Sequence, residues 1–242
     1  MNRIRFLSFW TFVSIVLTGC GGGGGDGATT NASAEGFWSG PASTGFTVNL
    51  VILETGETWG IYSTGNTIYG ALYGQTTTSG NVVSGTGTDF DLVNRTSTAS
   101  SFSGSVSPKS SLSVRTASGT TFSGTYSATY DTAASLALLA GTFTGTAVTA
   151  NTAPTTVQVT VSASGAITLP ATNGCSATGT ATPRPTGKNV FNISVTYSGT
   201  CALGNGTTTN GVGYYEASSK RLFGLALNTS KSDGFIFAGV KP

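Results

Sequence analysis

The sequence predicts an all-β protein built as two tandem small antiparallel β-barrel-like domains, with a single β-sandwich as the alternative. Three observations carry this expectation. Short apolar and β-branched runs alternate at regular spacing with Gly, Ser, Asn and Asp, the pattern of strands joined by tight turns. Ser and Thr make up about 30% of the 242 residues and aromatics 10%, side chains that suit a pleated, half-buried surface. Finally, the second half repeats short stretches of the first in the same order at a period of about 100 residues, which indicates duplication.

The chain opens on a processing segment. Arg3 and Arg5 precede an apolar run over 6–17 (FLSFWTFVSIVL), shorter than the about 20 residues that span a bilayer. Leu17-Thr18-Gly19-Cys20 resembles the lipobox of bacterial lipoproteins. The resemblance implies a signal peptide over 1–19, cleavage before Cys20, and acyl chains on Cys20 that anchor the chain to a membrane. Gly21 rather than Asp after the cysteine implies the outer membrane by the same resemblance. Residues 20–35, lipidated Cys20 and a Gly-rich run, are expected to form a flexible linker. The formal charge of +2 belongs to the removed segment, which takes two of the eleven basic residues and leaves the acidic nine matched. The remaining chain has no basic excess with which to recruit nucleic acid.

Strands are expected in order over 46–53, 58–63, 67–75, 81–92, 101–107, 111–117 and 120–130. Between the halves, 131–140 (DTAASLALLA) favours a short helix capped by Asp131 or Thr132 and closed by Gly141. This places the first barrel domain at 36–130, the connector at 131–140 and the second barrel domain at 141–242. Trp38-Ser39-Gly40 corresponds to Phe143-Thr144-Gly145, and 47–52 (TVNLVI) to 156–161 (TVQVTV). Further on, 79–82 corresponds to 187–190, and 121–125 (TFSGT) to 235–239 (FIFAG).

The chemistry available is narrow. Without His, a Ser–His–Asp triad and a His-ligated metal are excluded, and neither a cofactor nor a metal is expected. With Cys20 taken by lipid, Cys175 and Cys201 form the one intramolecular pair, expected as a structural disulfide. Asp89 and Asp91 flank Phe90 and share a strand face, an arrangement a glycosidase could use; more often it marks a solvated strand face or end. Glu54 and Glu57 bracket a turn, and Glu216 lies near Lys220 and Arg221 at a hairpin tip where opposite charges pair. Trp59, Tyr62, Tyr69 and Tyr73 lie on adjacent strands and are the candidate binding aromatics. By alternation Tyr69 and Tyr73 share a face, whereas Trp59 and Tyr62 are on opposite faces.

Gly36-Phe37-Trp38 resembles the G-x-W of lipocalins, which sits near their first barrel strand. The lipobox, the Gly-rich tether and the motifs Trp38-Ser-Gly40, Phe102-Ser-Gly104, Phe122-Ser-Gly124 and Phe143-Thr-Gly145 are together similar to surface lipoproteins of the transferrin-binding protein B type. That resemblance implies the barrel architecture and no ligand-binding residue. The expected function is non-catalytic: an outer-membrane lipoprotein serving as a surface binding or adhesion module or as an envelope component, with a protein or glycan ligand. A carboxylate-dependent hydrolase of cell-envelope glycan is the alternative. Spanning of the outer membrane by the strands themselves is disfavoured, because many are shorter than the about 9–11 residues required.

Overall fold

A computed structural model describes residues 31–242. The signal segment, Cys20 and the tether up to residue 30 lie outside the described residues. Eight strands form the first barrel: β1 (Gly36–Pro41), β2 (Thr47–Ile52), β3 (Glu57–Thr64), β4 (Thr67–Ser79), β5 (Val82–Asp91), β6 (Thr96–Ser107), β7 (Ser111–Thr116) and β8 (Thr121–Tyr126). Eight more form the second: β9 (Gly141–Val148), β10 (Thr155–Val161), β11 (Ala166–Thr172), β12 (Cys175–Pro183), β13 (Phe191–Gly199), β14 (Thr208–Glu216), β15 (Arg221–Leu227) and β16 (Gly234–Val240). In each barrel every strand pairs antiparallel with the next, and the last closes on the first. Closure leaves neither sheet with an unpaired edge.

The internal repeat is visible in the register. Trp38 pairs with Leu50 and Gly40 with Val48 in the first barrel; Phe143 pairs with Val159 and Gly145 with Val157 in the second. The last correspondence is displaced by one residue from that expected. Phe122 matches Phe237 rather than Ile236, since both rings fold over the glycine two residues on. A Cβ on Gly124 would sit 2.6 Å from Phe122 Cζ, and one on Gly239 2.4 Å from Phe237 Cζ.

The connector carries short helical turns, with a cap other than the one expected. A 3-10 turn covers Ala128–Asp131, and the helix proper, α1 (Leu136–Leu139), is a single turn. Its cap is Ser135, whose side chain accepts from the Leu138 N–H, rather than Asp131 or Thr132. Asp131 instead receives Lys109 Nζ at 2.9 Å and Lys188 Nζ at 2.7 Å, tying a turn of each barrel to the connector. The last part of the expected flexible linker is also held: Ala32 N–H donates to Gly80 O, and Gly80 N–H to Asn31 Oδ1. Cys175 and Cys201 are disulfide-bonded across the β12–β13 hairpin.

The two barrels share a buried apolar seam. Phe37, Val51, Trp59, Ile61, Ile68, Ala71 and Phe90 point out of the first barrel and pack in one buried cluster with outward residues of β14–β16, among them Tyr214, Phe223, Leu225 and Ile236. Phe37 and Tyr214 stack with ring centroids 3.8 Å apart. Polar ties rim the seam. The Arg184 guanidinium grips Glu54, with Nη2 2.6 Å from Oε1, and Arg221 Nη2 donates to Asn66 Oδ1 at 2.7 Å. Arg221 thus faces the first barrel instead of pairing with Glu216, whose carboxylate accepts from Ser219. Truncating Phe37 removes a ring that is 3% exposed and stacked on Tyr214. Phe37→Ala is expected to cost about 3–4 kcal/mol in guanidinium denaturation; a cost below about 1 kcal/mol would show that the seam does not couple the barrels.

Candidate functional site

The interiors of the two barrels differ. Eight strands enclose a space that side chains can just fill, and the second barrel is filled: Phe143, Phe191, Phe235, Phe237 and Tyr197 point inward, leaving about 30 Å³. The first encloses a cavity of about 580 Å³. Its inward positions alternate apolar residues with small ones. Gly74 faces Gly87 across β4–β5, where the backbones come so close that a Cβ on Gly74 would lie 2.8 Å from Gly87 Cα. Thr58 and Thr76 lie deeper, their hydroxyls 2.6 Å apart, with Thr58 also donating to Gly56 O. Leu50, Leu72, Val83, Phe102, Val114 and Phe122 supply the apolar wall.

One end of this lumen is closed. Trp38, fully buried, crosses it with Nε1 donating to Ala34 O, and Ala34 packs beside Trp38, Val106 and Leu112. The G-x-W tryptophan therefore forms the floor. The other end is framed by the β1–β2, β3–β4, β5–β6 and β7–β8 turns, and exposed Thr44, Val93 and Ser118 line the way in.

The four candidate aromatics separate into two pairs. Tyr62 points into the lumen. Tyr69 joins it at the mouth because β4 bulges there: Tyr62 pairs with Gly70 and Ser63 with Ile68, so Tyr69 has no partner on β3. That extra residue breaks the alternation, and Tyr69 and Tyr73 do not share a face as expected. At the mouth, Phe46, which the sequence reading passed over, lies 4.9 Å from Tyr69 and 5.4 Å from Tyr62. Trp59 and Tyr73 are paired on the outer face, 4.5 Å apart, with Lys231 of the second barrel about 5 Å above both rings. The Tyr73 hydroxyl donates to Glu57 Oε1. These two belong to the seam rather than to an exposed binding face.

Asp89 and Asp91 both line the cavity, with Phe90 between them directed into the seam. Their surroundings push them in opposite directions. Burial raises the pKa of Asp89, although Tyr62 donates to its Oδ1 at 2.9 Å and favours the charged form. Among the described residues nothing donates to its Oδ2. Burial also acts to raise Asp91, but the N–H groups of Asn94 and Val93 and the Asn94 amide, all bonded to its carboxylate, win and lower it. Asp91 caps the β5–β6 turn; Asp89 is a carboxylate held in an apolar lumen. Among the described residues no group of His, Cys, Asp and Glu is disposed to hold a metal.

No family model, curated protein or solved structure matches the chain.

The two carboxylates make opposite contributions to stability. The depressed pKa of Asp91 means its contribution is complete well above pH of about 4 and is lost as the pH falls below that value. The raised pKa of Asp89 reverses the sign: its ionisation opposes folding, and stability falls as the pH rises through its elevated value. At pH 7, Asp91→Asn is therefore expected to lower the melting temperature by roughly 2–4 °C, the shift from about 1 kcal/mol in a chain this size. Asp89→Asn is expected to raise it. Thermal unfolding of both variants checks the pair, and shifts of the same sign would contradict the assignment.

Proposed function

We propose that the protein is a non-catalytic binding module of the outer membrane, anchored through lipid on Cys20, that takes a small, largely apolar molecule into the first barrel. The observation that carries this reading is the contrast between the barrels. The same eight-stranded frame is packed solid in one copy and holds a cavity of about 580 Å³ in the other. That volume lies within the roughly 300–1,000 Å³ of small-molecule sites, and apolar walls with a few polar groups at the mouth are their usual composition. The disulfide supports passage through an oxidising compartment, as an exported lipoprotein requires.

The test uses the mature chain carrying Cys20→Ala, free of lipid, with the neutral fluorophore N-phenyl-1-naphthylamine. Saturable enhancement with one site per chain is expected. Leu72→Trp, which places an indole in the lumen, is expected to abolish it without altering the β-sheet circular dichroism. Failure of the parent chain to bind would remove the reading. For the anchor, incorporation of labelled palmitate is expected in cells expressing the full chain and should disappear in Cys20→Ala; incorporation that persists would contradict it.

The alternative, a carboxylate-dependent hydrolase of cell-envelope glycan, draws support from Asp89 and Asp91 lining one cavity with pKa values moved apart. Against it stands the commitment of Asp91 to the β5–β6 turn, whose N–H groups occupy both its oxygens. Glycan turnover that falls in the Asp89→Asn, Asp91→Asn double variant would favour the hydrolase; unchanged turnover would remove it.

A further inference from the structure

We propose that the ligand of the first barrel is a cationic amphiphile, with its alkyl part in the lumen and an ammonium head at the mouth between Asp89 and the rings of Phe46, Tyr62 and Tyr69. This rests on the reading of that lumen as a binding site and adds the charge and polarity of what enters it.

The chemistry of the cavity is graded along its axis. The inner part is apolar apart from a few hydroxyls that already have partners, Thr76 bonded to Thr58, Thr58 donating to Gly56 O and Ser100 to Ser101 O, and so accepts hydrocarbon without leaving these groups unpaired. The charged side chains that line the cavity are Asp89 and Asp91, and no Lys or Arg is among them. The charge of Asp91 is already solvated by three N–H donors of its own turn. Asp89 has one donor, Tyr62, a second oxygen to which nothing described donates, and no cation in salt-bridge range among the described residues. A half-buried carboxylate left in that condition is costly, and a cation beside it offsets the cost.

The rings point to the same class. Phe46 lies within 5.4 Å of both Tyr62 and Tyr69, so three aromatic side chains gather beside Asp89 at the opening. Aromatic faces attract alkylammonium groups, and an aromatic cluster with one carboxylate is suited to them. Among the described residues the basic side chains on the turns around the mouth stay out of the lumen lining. Arg95 sits exposed in the β5–β6 turn, Arg115 points outward from β7, opposite in alternation to the lumen-lining Val114 and Thr116, and Arg221 of the second barrel is bonded to Asn66 on the β3–β4 turn. A fatty acid would bring its carboxylate against Asp89, so an anionic amphiphile of the same length is rejected where an ammonium is held.

The experiment is displacement of N-phenyl-1-naphthylamine from the mature Cys20→Ala chain by dodecyltrimethylammonium, dodecanol and dodecanoate, each below its micellar concentration. The ammonium is expected to displace at a concentration about tenfold or more below that of the carboxylate, with the alcohol between them. Asp89→Asn is expected to bring the ammonium and alcohol curves together. Phe46→Leu, a change at the rim that spares the buried wall, is expected to weaken the ammonium several-fold relative to the alcohol. Equal displacement by all three, a preference for dodecanoate, or a preference that survives both substitutions would overturn the charge assignment while leaving the lumen a binding site. If the fluorophore itself does not bind the parent chain, the site reading fails and the proposal goes with it.

Discussion

Closing eight strands into a barrel sets the interior before any side chain is chosen. The radius follows from strand number and stagger, so the space inside is fixed and only its contents vary. In this molecule the contents vary between two copies of one plan. The second barrel spends its inward positions on Phe143, Phe191, Phe235 and Phe237 and becomes a solid body. The first places Gly74 and Gly87 opposite each other and Thr58 and Thr76 beyond them, and the space those side chains do not fill becomes the cavity. The filled copy then has a structural part to play: its outward faces on β14–β16 cover the outer face of the hollow one along the seam around Phe37 and Tyr214.

That division explains the unusual composition. With few charged residues in the chain, much of the free surface is covered by hydroxyls: Ser101, Ser103 and Ser105 on β6, Ser113 on β7 and Thr156 and Thr160 on β10 are all exposed. Several of the charges that remain bridge parts of the fold. Arg184 reaches Glu54, Arg221 reaches Asn66, and Asp131 takes two lysines. Asp89, by contrast, meets no cation among the described residues; it accepts from Tyr62 and faces the cavity.

The strand order, the two-barrel division and the disulfide were legible because each has a local signature: turn residues between β-branched runs, recurring aromatic-x-Gly motifs, and one available cysteine pair. The match of Trp38 with Phe143 was legible because each is followed by a hydroxyl residue and a glycine, Ser39-Gly40 and Thr144-Gly145. The eighth strands were misaligned because Phe235, Ile236, Phe237 and Ala238 form an unbroken apolar run in which neither face is marked. That run, with Leu222–Leu227, was itself a sign of strands buried on both faces, and so of the seam. The bulge at Tyr69 had no such sign, since one extra residue changes no composition and yet moves every alternation argument beyond it to the other face. The cavity was hidden for a related reason. Its existence depends on which glycines point inward, and that parity is known only once the register is.

The seam also leaves the two sides of the cavity mechanically unequal. Along β1–β4 the outer residues are pressed against the second barrel, and a displacement there has to move a packed core. On the opposite side, the outer residues of β6, β7 and β8 meet only solvent. The lumen is thus a vessel with one stiff wall and one compliant wall. Outward breathing of the Ser-rich strands would widen the lumen, while the wall that carries Tyr62 and backs on Trp59 keeps its place.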